Sequence, residues 1–295
     1  MLSILIPTYN YDVTQLVRSL HEQGINLLVD FEVIVIEDGS TECVETNRQI
    51  ENLSFCQHIV LQKNIGRSAI RNKLADSAKY PYLLFIDCDA EVKNKDFLHR
   101  YISVCTEDAV VIGGTAYDIS NQDRDCSLRL KYGRKRESNI KYLLSHKGNE
   151  NFATFNFLIS KSVFNQVRFD ESLVKYGHED TLFGYMLHER GYKFKRIDNP
   201  LIHRGVDSNK VFLKKTVESV KNLYFIYTSG KYPYLINESK LLQTYKTLEK
   251  WHFVPLVRLK FRVLKKIMEK NLSSKNPSLI IYDLYKLMTL CTMRQ

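Results

Sequence analysis

Through the first two hundred positions, apolar residues come in short runs with few polar interruptions, ending on polar residues. Leu2–Ile6, Phe31–Ile36, His58–Leu61, Tyr82–Ile86 and Ala109–Ile112 are five such runs. Runs of this length without alternation predict strands buried on both faces of a mostly parallel sheet. Between them the spacing turns helical. Val13, Leu16, Val17 and Leu20 make one apolar stripe, with Asp12 expected as its cap and Gln15 as the capping-box partner. Ser68–Ala78 is expected as a second helix. Strand and helix alternating in this rhythm predict an α/β fold with right-handed crossovers.

Further on the pattern is less regular. Asp118–Asn151 is polar, carries both charge signs and has no firm period, so it is expected to be a mobile segment near the mouth of the site, with room for a helical turn. Phe152–Val167 is apolar and aromatic. Leu182, Tyr185 and Met186 then fall in helical register behind His178-Glu179-Asp180, and Gly191 ends that helix. Tyr192–Ile197 reads as a strand. From 208 onward the spacing is helical only, over about 208–230, 238–251, 254–270 and 279–293. Charge shifts at the same place. Asp207 to Gln295 holds 17 Lys and Arg against 6 Asp and Glu, whereas residues 1–206 hold 26 against 27. The expected organisation is a catalytic domain over 1–207 and a basic helical region over 208–295.

Candidate chemistry gathers where strands end. Thr8, Asp38, Gly66-Arg67, Asp87 and Asp89 all follow apolar runs, and ligands of open α/β sheets sit at the carboxyl ends of strands. Asp87 and Asp89 are one residue apart, so in extended backbone they point the same way. Two such carboxylates suit a hard divalent cation, Mn²⁺ or Mg²⁺, that also holds phosphate oxygens. Arg67 and Arg71, one turn apart near a helix start, suit a diphosphate. Glu179 and Asp180 stand at another helix N-terminus, where acids serve as dipole partners or as a general base. His203 ends a further apolar run and is a candidate additional metal ligand. The glycine-rich dinucleotide fingerprint and the Walker A sequence are both missing from the chain, and no nucleic-acid motif accompanies the basic tail. Two readings of its helices stay open: they meet an anionic membrane surface through 254–293, or they pack on the catalytic domain with their lysines solvated.

In this order SILIPTYN, FEVIVIEDGST, NIGRSAIRN, YLLFIDCDAEV, YGHEDTLFGYMLHERGYK and PLIHRG resemble family 2 glycosyltransferases of the GT-A fold, from Leu2 to about Asp207. The resemblance implies an inverting hexosyl- or N-acetylhexosaminyltransferase that takes a sugar from a nucleotide-sugar, typically UDP-linked, to a glycan or lipid-linked glycan acceptor. It assigns Thr8, Tyr9 and Asp38 to the base and ribose, and Arg71 to the diphosphate. Asp87 and Asp89 become the D-x-D pair, with Asp89 the direct metal ligand and His203 a further one. Asp180 becomes the catalytic base, supported by Glu179. Glu37 departs from the family, which commonly has Asp there, and little effect is expected. A nucleotidyltransferase, or a silent membrane-associated glycan-binding scaffold on the same fold, is the alternative. Six dispersed cysteines and an N-terminus that enters a strand directly point to a reducing cytosol, with the tail on the inner face of the cell membrane.

Overall fold

A computed structural model describes residues 1–118, 120, 123–138, 152–173 and 176–293. The chain separates into two compact units. The first comprises Met1–Tyr117, Phe152–Val174 and Glu179–Gly205; the second comprises Asp118–Asn151, Lys175–His178 and Val206–Gln295.

Among the described residues the first unit contains ten strands: β1 (Leu2–Thr8), β2 (Phe31–Glu37), β3 (Cys56–Val60), β4 (Tyr82–Ile86), β5 (Ala90–Glu91), β6 (Ala109–Ile112), β7 (Thr115–Ala116), β8 (Asn156–Ser160), β9 (Lys193–Arg196) and β10 (Leu201–His203). Seven form one sheet in the order β3-β2-β1-β4-β8-β6-β9, and β5-β10-β7 form a small second sheet. The alternation of side chains along each strand divides the core into two layers. Leu2, Ile4, Ile6, Val33, Val35, Leu84 and Ile86 face one layer, with Leu16, Val17 and Leu20 of the Thr14–Ile25 helix. Leu5, Ile34, Ile36, Leu83 and Phe85 face the other, with Ile70 and Leu74 of the Arg67–Ser77 helix and Phe183 and Leu187 of the Glu179–Glu189 helix. Burial on both faces is why these strands carry near-continuous apolar runs.

The sheet is mainly parallel, as expected; β8 is the exception, inserting between β4 and β6 and running antiparallel to both. Antiparallel neighbours need no crossover helix, and a strand buried on both faces reads the same in either direction. Phe157 stacks on Phe85, 4.9 Å between centroids. One expectation needs correction in this unit: Asp12 forms no capping box. Its Oδ1 accepts from the amide and hydroxyl of Thr14, at 2.9 and 2.7 Å, in a local turn before the helix.

The second unit is helical, built from Ser127–Tyr132, Asn209–Ser229, Lys240–Lys250, Val254–Leu272 and Leu279–Leu290. Leu128, Phe212, Leu213, Phe261, Met268, Leu272, Tyr282, Tyr285 and Met288 form its core. The Ser208 hydroxyl caps the first long helix at Val211 N, and Gly230 at φ +66° ends it. The helix expected over about 238–251 runs Lys240–Lys250, capped by the Ser239 hydroxyl, and Leu235–Glu238 is a separate short helix before it. The segment 118–151 is not a loop where it is described. Residues 124–137 are helical, Leu128 is fully buried, and Arg136 holds Asp283 through two hydrogen bonds, one of them 2.9 Å. Its mixed charges had hidden the helical period. Residues 139–151 lie outside the described part of the chain.

Phe183 has no exposed surface, stacks 4.0 Å from Phe169 and also meets Phe152, Phe157 and Phe164. Phe183→Ala is expected to cost about 3–5 kcal/mol, read as a lower urea midpoint at unchanged slope.

Candidate active site

The order β3-β2-β1-β4 places the carboxyl ends of β1 and β4 side by side, the position where an open α/β sheet forms a ligand crevice. Thr8 ends β1 and is buried, its hydroxyl turned back to the Ile6 carbonyl at 3.5 Å, while the Tyr9 ring is exposed. Asn10 Oδ1 accepts from the amides of Thr41 and Glu42, at 2.8 and 3.1 Å, and fastens this loop to the one after β2.

Asp38 stands just beyond β2 with both oxygens occupied, by Ile65 N at 2.7 Å and Gly66 N at 3.1 Å. Burial raises its pKa and the two amides counter part of that rise. Asp38 therefore organises the loop that leads into the Arg67–Ser77 helix. Gly39 has φ +71°, and an added Cβ would lie 2.5 Å from the Lys63 carbonyl carbon, so these two loops touch backbone to backbone. Glu37 faces away from the crevice. It is fully buried and accepts from Asn47 Nδ2 at 2.7 Å, from Ser40 Oγ, and lies 3.2 Å from His58 Nε2. Burial alone would raise its pKa, but His58, Ser40 and Asn47 together hold it below the ordinary carboxylate value.

The first two turns of the Arg67–Ser77 helix carry the cations. Arg71 is 3% exposed and its Nη2 lies 2.7 Å from Asp87 Oδ1. Arg67 is half exposed and its Nη1 lies 3.6 Å from Glu179 Oε1. Ser68, which sequence reasoning passed over, is buried in the same turn. Among the described residues, Ser68 Oγ, Arg71 Nε, Glu179 Oε2 and His203 Nδ1 are buried polar atoms without a protein partner. Groups of this kind are costly unless something satisfies them. A helix N-terminus bearing a hydroxyl and two guanidinium groups has the donors that a diphosphate takes.

Asp89 is brought to His203 by the small sheet, in which Ala90 of β5 pairs with His203 of β10. His203 Nε2 lies 3.1 Å from Asp89 Oδ2, and the ring packs against Tyr117 and Phe155. Burial would raise the Asp89 pKa, but the His203 hydrogen bond and charge, with Arg67, bring it below its ordinary value. Gly205 closes the cradle. A Cβ there would lie 2.7 Å from Asp89 Cβ and 3.0 Å from Cγ. Cys88, between the two acids, is kept a neutral thiol by burial and by their charges, its pKa pushed up to about 12.

Asp180 opens the Glu179–Glu189 helix, partly exposed, with Oδ1 accepting from Thr181 N at 2.7 Å. Burial, then the charge of Glu179, push its pKa up to about 6, while Arg71 and Arg67 act the other way. Arg67 thus acts on both Asp89 and Asp180. Among the described residues no three His, Cys, Asp or Glu side chains are grouped to hold a metal. The nearest approach is the Asp89–His203 pair, since Asp87 is engaged by Arg71. A separate groove of about 570 Å³ belongs to the second unit, with Lys210, Lys214, Lys221 and Lys265 among its lining, and includes none of these residues.

The family model Glycosyl transferase family 2 matches residues 3–168. The chain is 26% identical over 293 residues to a chondroitin synthase of Escherichia coli, a match covering 88% of this chain and 42% of that protein. It is 30% identical over 239 residues to a chondroitin synthase of Pasteurella multocida (strain Pm70), covering 68% and 24%. The chain thus spans less than half the length of these relatives. Among solved structures, S. aureus TarS 1-349 in complex with UDP-GlcNAc aligns at a TM-score of 0.51 and 17% identity, over 97% of this chain and 89% of that one. Mannosyltransferase PcManGT from Pyrobaculum calidifontis, in complex with GDP-Man and Mn²⁺, aligns at 0.53 and 13%, over 78% and 65%. These likenesses show the fold, which is GT-A.

Gly39→Ala and Gly205→Ala should each destabilise by about 1–3 kcal/mol through overpacking, measured by urea unfolding. Gly39 is the more severe, because its neighbours are backbone and its φ is positive.

Proposed function

The chain belongs to glycosyl transferase family 2, and from that premise we propose that it moves a sugar from a nucleotide-sugar to an acceptor hydroxyl on a growing glycan, with inversion at the anomeric carbon. One observation carries the reading. A pair of arginines one helix turn apart stands between two acidic groups of opposite character, Asp89 held ionised beside His203 and Asp180 raised toward neutral pH.

The division of labour follows from this contrast. Inversion requires the acceptor oxygen to attack from the face opposite the leaving diphosphate. Asp180 takes the acceptor proton as the new carbon–oxygen bond forms, and the nucleotide diphosphate departs with the electron pair of the old one. A base with its pKa near the working pH suits this proton transfer. Arg67, Arg71 and Ser68 receive the diphosphate, and Asp87 acts by fixing Arg71. Glu179 orients Arg67 and supports Asp180. Thr8, Tyr9 and Asp38 line the nucleoside side, where Asp38 shapes the loop and the exposed Tyr9 ring offers a stacking surface.

Asp89 and His203, a carboxylate oxygen and an imidazole nitrogen side by side, are the residues that would hold a divalent cation. Mn²⁺ or Mg²⁺ there would supply positive charge to offset that of the leaving group. A UDP-linked hexose or N-acetylhexosamine is the donor we favour, supported by the UDP-GlcNAc named with TarS; GDP-Man with the mannosyltransferase keeps the base open to test. The chondroitin and hyaluronan synthases among the relatives support a polysaccharide acceptor.

Asp180→Asn should retain donor affinity by calorimetry and lower turnover by roughly 10²–10⁴-fold; near-normal turnover would exclude Asp180 as base. Because Asp180 must lose its proton to act, kcat/KM should fall about tenfold per unit below about pH 6. Glu179→Gln removes a charge that raises the Asp180 pKa, so this limb should move to lower pH. Asp89→Ala should abolish the difference in donor affinity between Mn²⁺ and EDTA. An equal difference in the variant would remove Asp89 from the metal site.

A further inference from the structure

The Val254–Leu272 helix has two apolar faces, and only one of them is used by its own unit. Phe261, Met268 and Leu272 point into the helical core. On the opposite side Leu256, Leu259, Val263 and Ile267 follow at spacings of three, four and four residues, which puts them on a single stripe. They are 47, 58, 71 and 65% exposed. Singly exposed apolar residues are ordinary, but four in register make a continuous patch of the kind that marks an interaction surface. Trp251 and Phe253, also exposed, lie just before the helix begins.

Charge on this face has one sign. At 100° per residue Lys260 falls on one side of the stripe and Lys266 and Arg262 on the other, with Lys270 beyond Ile267. All four are exposed. Glu269 is the helix's only acid. It lies off the stripe, 2.9 Å from Tyr285 Oη and 3.8 Å from Lys265. Protein interfaces are depleted of lysine at their core. Long cationic side chains bordering an apolar stripe, with Trp and Phe at one end, are instead the arrangement of a helix lying in a headgroup layer. Among the described residues no helix is long and apolar enough to cross a membrane.

We propose that this face of the Val254–Leu272 helix lies in the surface of an anionic lipid bilayer. Leu256, Leu259, Val263 and Ile267 reach the acyl boundary, and Lys260, Arg262, Lys266 and Lys270 rest among headgroup phosphates. The stripe is roughly 16 Å long, so it attaches the chain along the surface. This attachment is independent of glycosyl transfer.

The test is co-sedimentation of the full chain with vesicles of phosphatidylcholine, alone or mixed with phosphatidylglycerol. One variant carries Leu259→Ser, Val263→Ser and Ile267→Ser; another carries Lys260→Gln, Lys266→Gln and Lys270→Gln. The substituted side chains are solvent-exposed, and circular dichroism and melting midpoint confirm the fold of each. The unsubstituted chain should bind the mixed vesicles, weaken with added salt and spare phosphatidylcholine alone. Each variant should lose about tenfold or more in affinity. No binding to mixed vesicles, or unchanged binding by the serine variant, overturns the proposal. So does a self-association, seen by analytical ultracentrifugation, that the serine variant abolishes, since the stripe is then an interface between copies.

Discussion

The site depends on holding four carboxylates, Asp87, Asp89, Glu179 and Asp180, at one edge of the first unit. Two unit charges about 4 Å apart repel by roughly 4 kcal/mol at an effective dielectric near 20. A fold whose whole stability is about 5–15 kcal/mol does not tolerate several such pairs without cations among them. Arg71 is buried against Asp87, Arg67 approaches Glu179, and His203 meets Asp89. The compensation is uneven, and the unevenness matters. Asp89 is held ionised, while Asp180, next to Glu179, is raised. One neighbourhood thereby holds one carboxylate ionised and raises another, the contrast on which the proposed division of labour rests.

The rest of the first unit keeps these groups in place. The two core layers fix β1 and β4 side by side, and β8 stacks its phenylalanines on β4. The small sheet gives His203 its position through backbone pairing with Ala90. Loops are fastened by polar side chains: the half-buried Asn10 to 41–42, and the buried Asp38 to 65–66 and Glu37 to Ser40, Asn47 and His58. These acceptors are satisfied within the protein. At the crevice Ser68 Oγ, Arg71 Nε, Glu179 Oε2 and His203 Nδ1 lack such partners, and the proposed donor would supply them.

The second unit solves a different problem. Its helices bury one apolar stripe in a shared core, and the charges of 124–137 are spent partly on internal pairs such as Arg129–Glu137 and Arg136–Asp283. The net basic charge of the tail is therefore less informative than its placement. On the Val254–Leu272 helix it borders an exposed apolar stripe, and the proposed lipid contact rests on that juxtaposition.

The hydrophobic pattern by itself determined the α/β class, the positions of β1, β2, β4 and β6, and the helices that begin near residues 67, 179, 209, 254 and 279. It could do so because burial on both faces of a strand, or along one face of a helix, leaves a periodic mark. The ordered motifs likewise carried the family, since they are local strings that survive without knowledge of the fold. Tertiary structure decided the antiparallel entry of β8, the helical state of 124–137, the turn of Asp38 toward its own loop, the pairing of Arg71 with Asp87, and the need for glycine at 205. Each of these rests on a contact between residues distant in the chain or on a strand direction. Neither changes the spacing of apolar residues, so neither is written in the sequence pattern.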